Sequence, residues 1–224
     1  MASILISGAN RGIGLEMARQ FGNAGWQVIG TVRRPDQADA LRETGARIEE
    51  LDASEPASLD ALAERLEGEP IDVVFANAGI ARNLEAGPAD VAADEMKEVF
   101  ATNLWGPIGL ACALKRNVLA SERKTVIAMS SLMSSVSAND WGTQYSYRAS
   151  KAALNALWSA LAREWTGEGI TCTLLRPGFV ATEMTGNRGL PVAESVAGLC
   201  RVVESLRLSD SGRIIGYDGR DVPW

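Results

Sequence analysis

Short runs rich in β-branched residues alternate with stretches of helical spacing from one end of this chain to the other, which leaves few folds open to it. Ser3–Ser7, Trp26–Val32, Ala46–Leu51, Ile71–Ala76, Thr125–Ser130 and Ile170–Leu175 are the strand-like runs, with a weaker seventh near Arg213–Tyr217. Between them Ile13, Met17, Phe21 and Ala24 recur at three or four residues. Leu59, Leu62 and Leu66 do the same after Ser54, read as a helix cap, with Pro56 in the first turn. A strand followed by a helix, repeated, predicts a parallel sheet covered on both faces, because each crossover brings the chain back along a face. Right-handed crossovers make this a doubly wound α/β fold, with ligands at the carboxyl ends of the strands where the winding reverses.

Composition narrows the function. With 224 residues and 46% hydrophobic content, one domain spanning 1–224 around a sizeable core is expected. A net charge of -6 disfavours a surface built to hold nucleic acid or anionic membrane, since both need an excess of Lys and Arg. No apolar run is long enough to span a bilayer, and MASILISGANRG reaches glycines too early for a secretory signal, so a cytoplasmic location is expected. Cys112, Cys172 and Cys200 lack CxxC spacing and suggest neither disulfides nor a metal site. There is no histidine, which removes Ser-His-Asp and Cys-His catalysis and most zinc and iron centres.

The first strand end carries SGANRGIG, residues 7–14. Gly8 allows a tight turn, Gly12 lets the main chain approach a phosphate and Gly14 lets the following helix pack on the strand. Asn10, Arg11 and Ile13 complete the turn. In a dinucleotide fold an acid at the end of the second strand takes the ribose 2′-hydroxyl, whereas arginine there suits a 2′-phosphate. Here that strand ends in Thr31-Val32-Arg33-Arg34, and no carboxylate follows until Asp36. A guanidinium grips phosphate oxygens in a fork, so NADP(H) is the expected cofactor, with Arg11 as a second cation.

From these residues the chain resembles the short-chain dehydrogenase/reductase family along nearly its whole length. SGANRGIG is similar to the cofactor turn, Leu51-Asp52 to the adenine-contacting segment, and Asn77-Ala78-Gly79 to the NAG segment. Asn103 resembles the active-site asparagine, Ser131 the catalytic serine, and Tyr147 with Lys151 the YxxxK signature. Pro177-Gly178, with Val180 and Thr182, resembles the segment that holds the nicotinamide carboxamide. The closing Tyr217–Trp224 is similar to the tail of the C-factor and sniffer-like carbonyl reductase branch. The resemblance implies a Rossmann-like domain, a nicotinamide cofactor also held by Tyr147 and Lys151, and no metal. Two departures stand out: Ser7 where the family usually has Thr, and a Leu132–Ser146 loop a few residues longer than usual.

The chemistry can also be built from the residues. On a helix starting near Gln144, Tyr147 and Lys151 lie one turn apart, and the ammonium is expected to lower the phenol's pKa from about 10. Ser131 can hold a carbonyl beside Tyr147 while hydride reaches its carbon. By resemblance Lys151 also binds the nicotinamide ribose, and Asn103 links it to solvent. The substrate is expected to be a small ketone, aldehyde or quinone, or a secondary alcohol in reverse, with Met133, Trp141, Phe179 and Met184 as an apolar wall. The alternative is an NADP(H)-binding regulator or signalling protein without turnover. Trp26 and Trp158 sit in core-like patterns. Apolar faces along Val99–Asn117 and Ser146–Trp165, with Trp105, Leu110, Leu114, Leu154, Leu157, Trp158 and Leu161, suggest a homodimer or homotetramer.

Overall fold

A computed structural model describes residues 1–224. The apolar runs become β1 (Ser3–Ser7), β2 (Gln27–Val32), β3 (Arg47–Glu50), β4 (Val73–Ala76), β5 (Thr125–Met129), β6 (Thr171–Arg176) and β7 (Ile214–Gly216). Every neighbouring pair is parallel, in the order β3-β2-β1-β4-β5-β6-β7. The expected runs differ from these strands only at their ends. Ile71, for example, gives its N–H to the Asn117 carbonyl at 3.1 Å, so the ladder starts later.

The helices are α1 (Gly12–Asn23), α2 (Asp39–Arg42), α3 (Pro56–Arg65), α4 (Ala93–Phe100), α5 (Gly106–Ala113), α6 (Lys115–Leu119), α7 (Tyr145–Trp165) and α8 (Val192–Ser205). They divide between the two faces of the sheet. Met17 and Phe21 of α1, Leu41 of α2, and Leu199 and Val203 of α8 pack on Ile4, Ile6, Phe75 and Ile127. Leu59 and Leu62 of α3, Leu110 of α5, and Leu154 and Trp158 of α7 pack on Leu5, Val74 and Val126. Successive strand residues point to opposite faces, which is why Ile4 and Ile6 belong to one core and Leu5 to the other. Each such fully buried side chain contributes about 1.5–3 kcal/mol of transfer free energy. No helix is long and apolar enough to cross a membrane.

Two expectations are corrected. Glu55, not Ser54, precedes α3, because the Ser54 hydroxyl and N–H are drawn onto the Asp52 carboxylate at 2.6 and 3.0 Å. Both tryptophans pack as expected: Trp26 is half-buried against one core, edge-on to Phe21 at 4.9 Å and covered by Arg123, and Trp158 is fully buried in the other. Of the apolar residues proposed for an oligomer face, Leu110, Leu114, Leu154 and Trp158 serve the chain's own core, leaving Trp105 and Leu157 exposed.

β1 lies between β2 and β4, so the chain that leaves the sheet on one side after β1 faces the segment that follows β4. A crevice opens at their carboxyl ends for that reason.

Candidate active site

The crevice deepens into a cavity of about 960 Å³ lined by the segments that follow β1, β2, β4, β5 and β6. Its floor is the glycine turn. Gly8 and Gly12 have φ of 67° and 56°, left-handed values that side-chain-bearing residues rarely adopt. At Gly14 a Cβ would lie 2.3 Å from the Gly8 carbonyl and 2.7 Å from Asn77 Nδ2, so α1 can approach β4 only with glycine there. The Ser7 hydroxyl accepts from the backbone N–H groups of Asn77 and Ala78 at 3.0 Å each, and Asn77 Nδ2 donates to the Ser7 carbonyl at 2.9 Å. The hydroxyl kept at position 7 thus locks the two switch-point loops together.

Asn10, Arg11, Ile13, Leu51, Asp52 and Gly79 line the same cavity, and Pro177, Gly178, Val180 and Thr182 close it from the other side. Thr182 Cγ2 stands 3.7 Å from where a Gly12 Cβ would be, so the two loops oppose each other closely. Arg33 and Arg34 are exposed at the cavity edge and form no ion pair. Arg11 is paired with Glu183 across the mouth. Thr31, at the same end, has a buried Oγ1 with no hydrogen-bond partner. An extended cavity with a glycine-rich turn, two unpaired guanidinium groups and an unpartnered hydroxyl fits an anionic dinucleotide.

At the other end β5 delivers Ser131, whose Oγ accepts from the Met133 N–H at 3.1 Å. Tyr147 stands in the first turn of α7 and Lys151 one turn further on, and all three line the cavity. Lys151 Nζ donates to the Met129 carbonyl at 2.7 Å and lies 5.9 Å from the Tyr147 ring centre. Burial lowers the Lys151 pKa to about 8. The expected lowering of the Tyr147 pKa is not found: burial raises it, and a hydrogen bond with Ser131 only partly offsets that. The Lys151 ammonium is directed at the Met129 carbonyl rather than at the phenol oxygen, so burial dominates at Tyr147.

Asn103 does not line the cavity. It is fully buried in a π-helical turn, Ala101–Trp105, between α4 and α5. Its Oδ1 accepts from the Ile80 N–H and its Nδ2 donates to the Ile80 carbonyl, both at 2.8 Å, and Nδ2 also reaches Ser150 Oγ at 3.1 Å. Asn103 therefore braces the segment after Gly79 against α7. Behind Ser131, Ser130 donates to Asn155 Oδ1 at 2.7 Å and contacts Ser134 at 3.2 Å, a buried network that the sequence reading missed. Only the serine-rich run 130–137 hinted at it. Met133, Phe179 and Met184 line the cavity as expected. Trp141 does not, because its ring stacks on Arg148 at 4.6 Å, while Thr143 and Gln144 line the cavity instead.

A family model described as enoyl-(acyl carrier protein) reductase matches residues 8–205, from the glycine turn to the end of α8. The C-signal protein of Myxococcus xanthus is 36% identical over 156 residues, 69% of this chain and 93% of that protein. The chain belongs to the short-chain dehydrogenase/reductase family. Among solved members, the carbonyl reductase Sniffer of D. melanogaster superposes with a TM-score of 0.93 at 32% identity, with 100% of both chains covered. An NADPH-bound carbonyl reductase from chicken fatty liver gives 0.91 at 30%, covering 100% of this chain and 99% of that one. This short-chain dehydrogenase/reductase is accordingly an NAD(P)-dependent oxidoreductase.

Proposed function

We propose that the protein is an NADP(H)-dependent carbonyl reductase acting on a small ketone, aldehyde or quinone, with a secondary alcohol as substrate in the reverse direction. The observation that carries this reading is the meeting of Ser131, Tyr147 and Lys151 at one end of a cavity whose other end presents Arg33 and Arg34. Arg33 and Arg34 would hold a 2′-phosphate, the Gly8–Gly14 turn the pyrophosphate, and Pro177, Gly178, Val180 and Thr182 the nicotinamide end. NADPH, when bound, supplies hydride.

Ser131 Oγ holds the substrate carbonyl oxygen beside the Tyr147 hydroxyl. Tyr147, whose pKa burial raises, donates its proton to that oxygen as negative charge develops there. Lys151 favours the phenolate left behind and would hold the ribose of a bound nicotinamide nucleotide. Met133, Phe179 and Met184 present apolar surface to the rest of the substrate and exclude water.

NADPH oxidation over a panel of carbonyl compounds tests the proposal, and Tyr147→Phe should lower kcat on the order of 10²–10⁴-fold while NADPH still binds. Turnover undiminished without the phenol would rule out this mechanism. Tight NADPH binding with no turnover on any carbonyl would favour a regulator instead.

A further inference from the structure

Gly142, Thr143 and Gln144 form three consecutive left-handed positions, with φ of 68°, 60° and 57°, immediately before α7. Two of them carry side chains and one is β-branched, so this run is strained and something outside it must hold it. Its carbonyl oxygens converge on one residue. Arg148 Nε–H is shared between the carbonyls of Gly142 and Thr143 at 3.1 and 2.9 Å, and the Arg148 backbone N–H donates to the Gln144 carbonyl at 2.9 Å. The Trp141 ring covers the guanidinium, Arg148 is only 9% exposed, and its Nη1 and Nη2 have no partner. Leaving two buried donor nitrogens unsatisfied is costly, which points to a role for the bonds that Nε does make. Arg148 directly follows Tyr147, and Thr143 and Gln144 line the cavity beside it.

We infer that Arg148 is a positioning residue that holds the 142–144 turn in its left-handed form and so fixes the substrate side of the cavity relative to the Tyr147 hydroxyl. The clamp ties the turn to the same helix turn that carries the proton donor, so the wall and the phenol move as one unit. Its effect on carbonyl selection rests on the reduction reading above; the clamp itself does not.

The test compares the full-length protein with Arg148→Met, which keeps the stem without the donors, and with Arg148→Lys. Amide hydrogen exchange across 139–145 in Arg148→Met should speed up about tenfold or more, a readout independent of turnover. In the same variant KM for a bulky aryl ketone should rise about tenfold relative to a small aldehyde, with kcat for the aldehyde and the NADPH Kd within about twofold. Arg148→Lys should recover part of both effects, since an ammonium can reach one of the two carbonyls. Should Arg148→Met not fold, adding Thr143→Gly relieves the strain, and a folded double variant with fast exchange at 139–145 supports the clamp. Unchanged exchange in Arg148→Met, a uniform loss of kcat and NADPH affinity across the panel, or a double variant that folds no better would overturn it. Fast exchange in Arg148→Met beside a wild type that reduces no carbonyl would support the clamp and count against the reduction reading alone.

Discussion

Burial pushes the Tyr147 phenol above its ordinary value, whereas it lowers Lys151 to about 8 against 10.5 for a free lysine. The folded pKa of the lysine lies below its unfolded value, so the unfolded chain binds the extra proton between those two pH values. Folding stability therefore carries a penalty below pH 8 that disappears as pH rises toward 10.5. Relative to Lys151→Met, wild type should gain up to about 3 kcal/mol across that window, measured by urea unfolding at a series of pH values. A gap between the two proteins that does not change with pH would mean that burial leaves this lysine unperturbed. Arg33 makes no ion pair that would compete for a phosphate. Arg33→Ala should weaken NADPH by about tenfold and NADH by less than about twofold in calorimetric titrations, because only the former offers a second anion to the guanidinium. Equal losses for both nucleotides would remove the assignment.

Elements set the distances between these groups. α1 can start where it does only because Gly14 has no side chain: a Cβ would press on the Gly8 carbonyl and on Asn77 Nδ2. Neither neighbour is free to give way, since the first is backbone and the second is bonded to the Ser7 carbonyl. Gly14→Ala should cost about 1–3 kcal/mol, as overpacking does, and lower the denaturation midpoint with the m-value unchanged. Wild-type stability in that variant would show that α1 shifts without resistance. The π-helical turn between α4 and α5 acts at the same scale. Its extra residue breaks the regular ladder, and Asn103 within it ties Ile80 to Ser150 of α7, so the element after β4 and the helix of Tyr147 share one brace.

Across the whole molecule, parallel strands buried on both faces give two separate cores, each covered by helices. Among the large apolar side chains that stay exposed are Trp105, just before α5, and Leu157 of α7, at 52% and 46%. We propose that the surface carrying them pairs with a second copy of the chain, since burying two large apolar side chains per protomer favours association. Light scattering at micromolar concentration should show at least a dimer, and Trp105→Ser with Leu157→Ser should shift it toward monomer. A wild type that is monomeric under those conditions would contradict the pairing.

Much of this was legible in the residues themselves. Period-two and period-four apolar patterns are local properties, and they placed the strands to within a residue or two and the start of α7 at Gln144. Glycine spacing, the two arginines after β2, and the Tyr147–Lys151 interval likewise depend on neighbours in sequence, and the fold brings all of them to one cavity. Only tertiary structure could decide the rest. Whether Tyr147 has its pKa lowered by a lysine or raised by burial depends on what fills the space around both. Trp141 turns away from the substrate wall because Arg148 offers it a guanidinium, and Ser54 fails as a cap because Asp52 is nearer. Leu110, Leu114, Leu154 and Trp158 look identical in sequence whether they face a partner or the chain's own sheet. Side-chain competition for long-range partners is what separates these outcomes, and a linear pattern does not encode which partner lies closer.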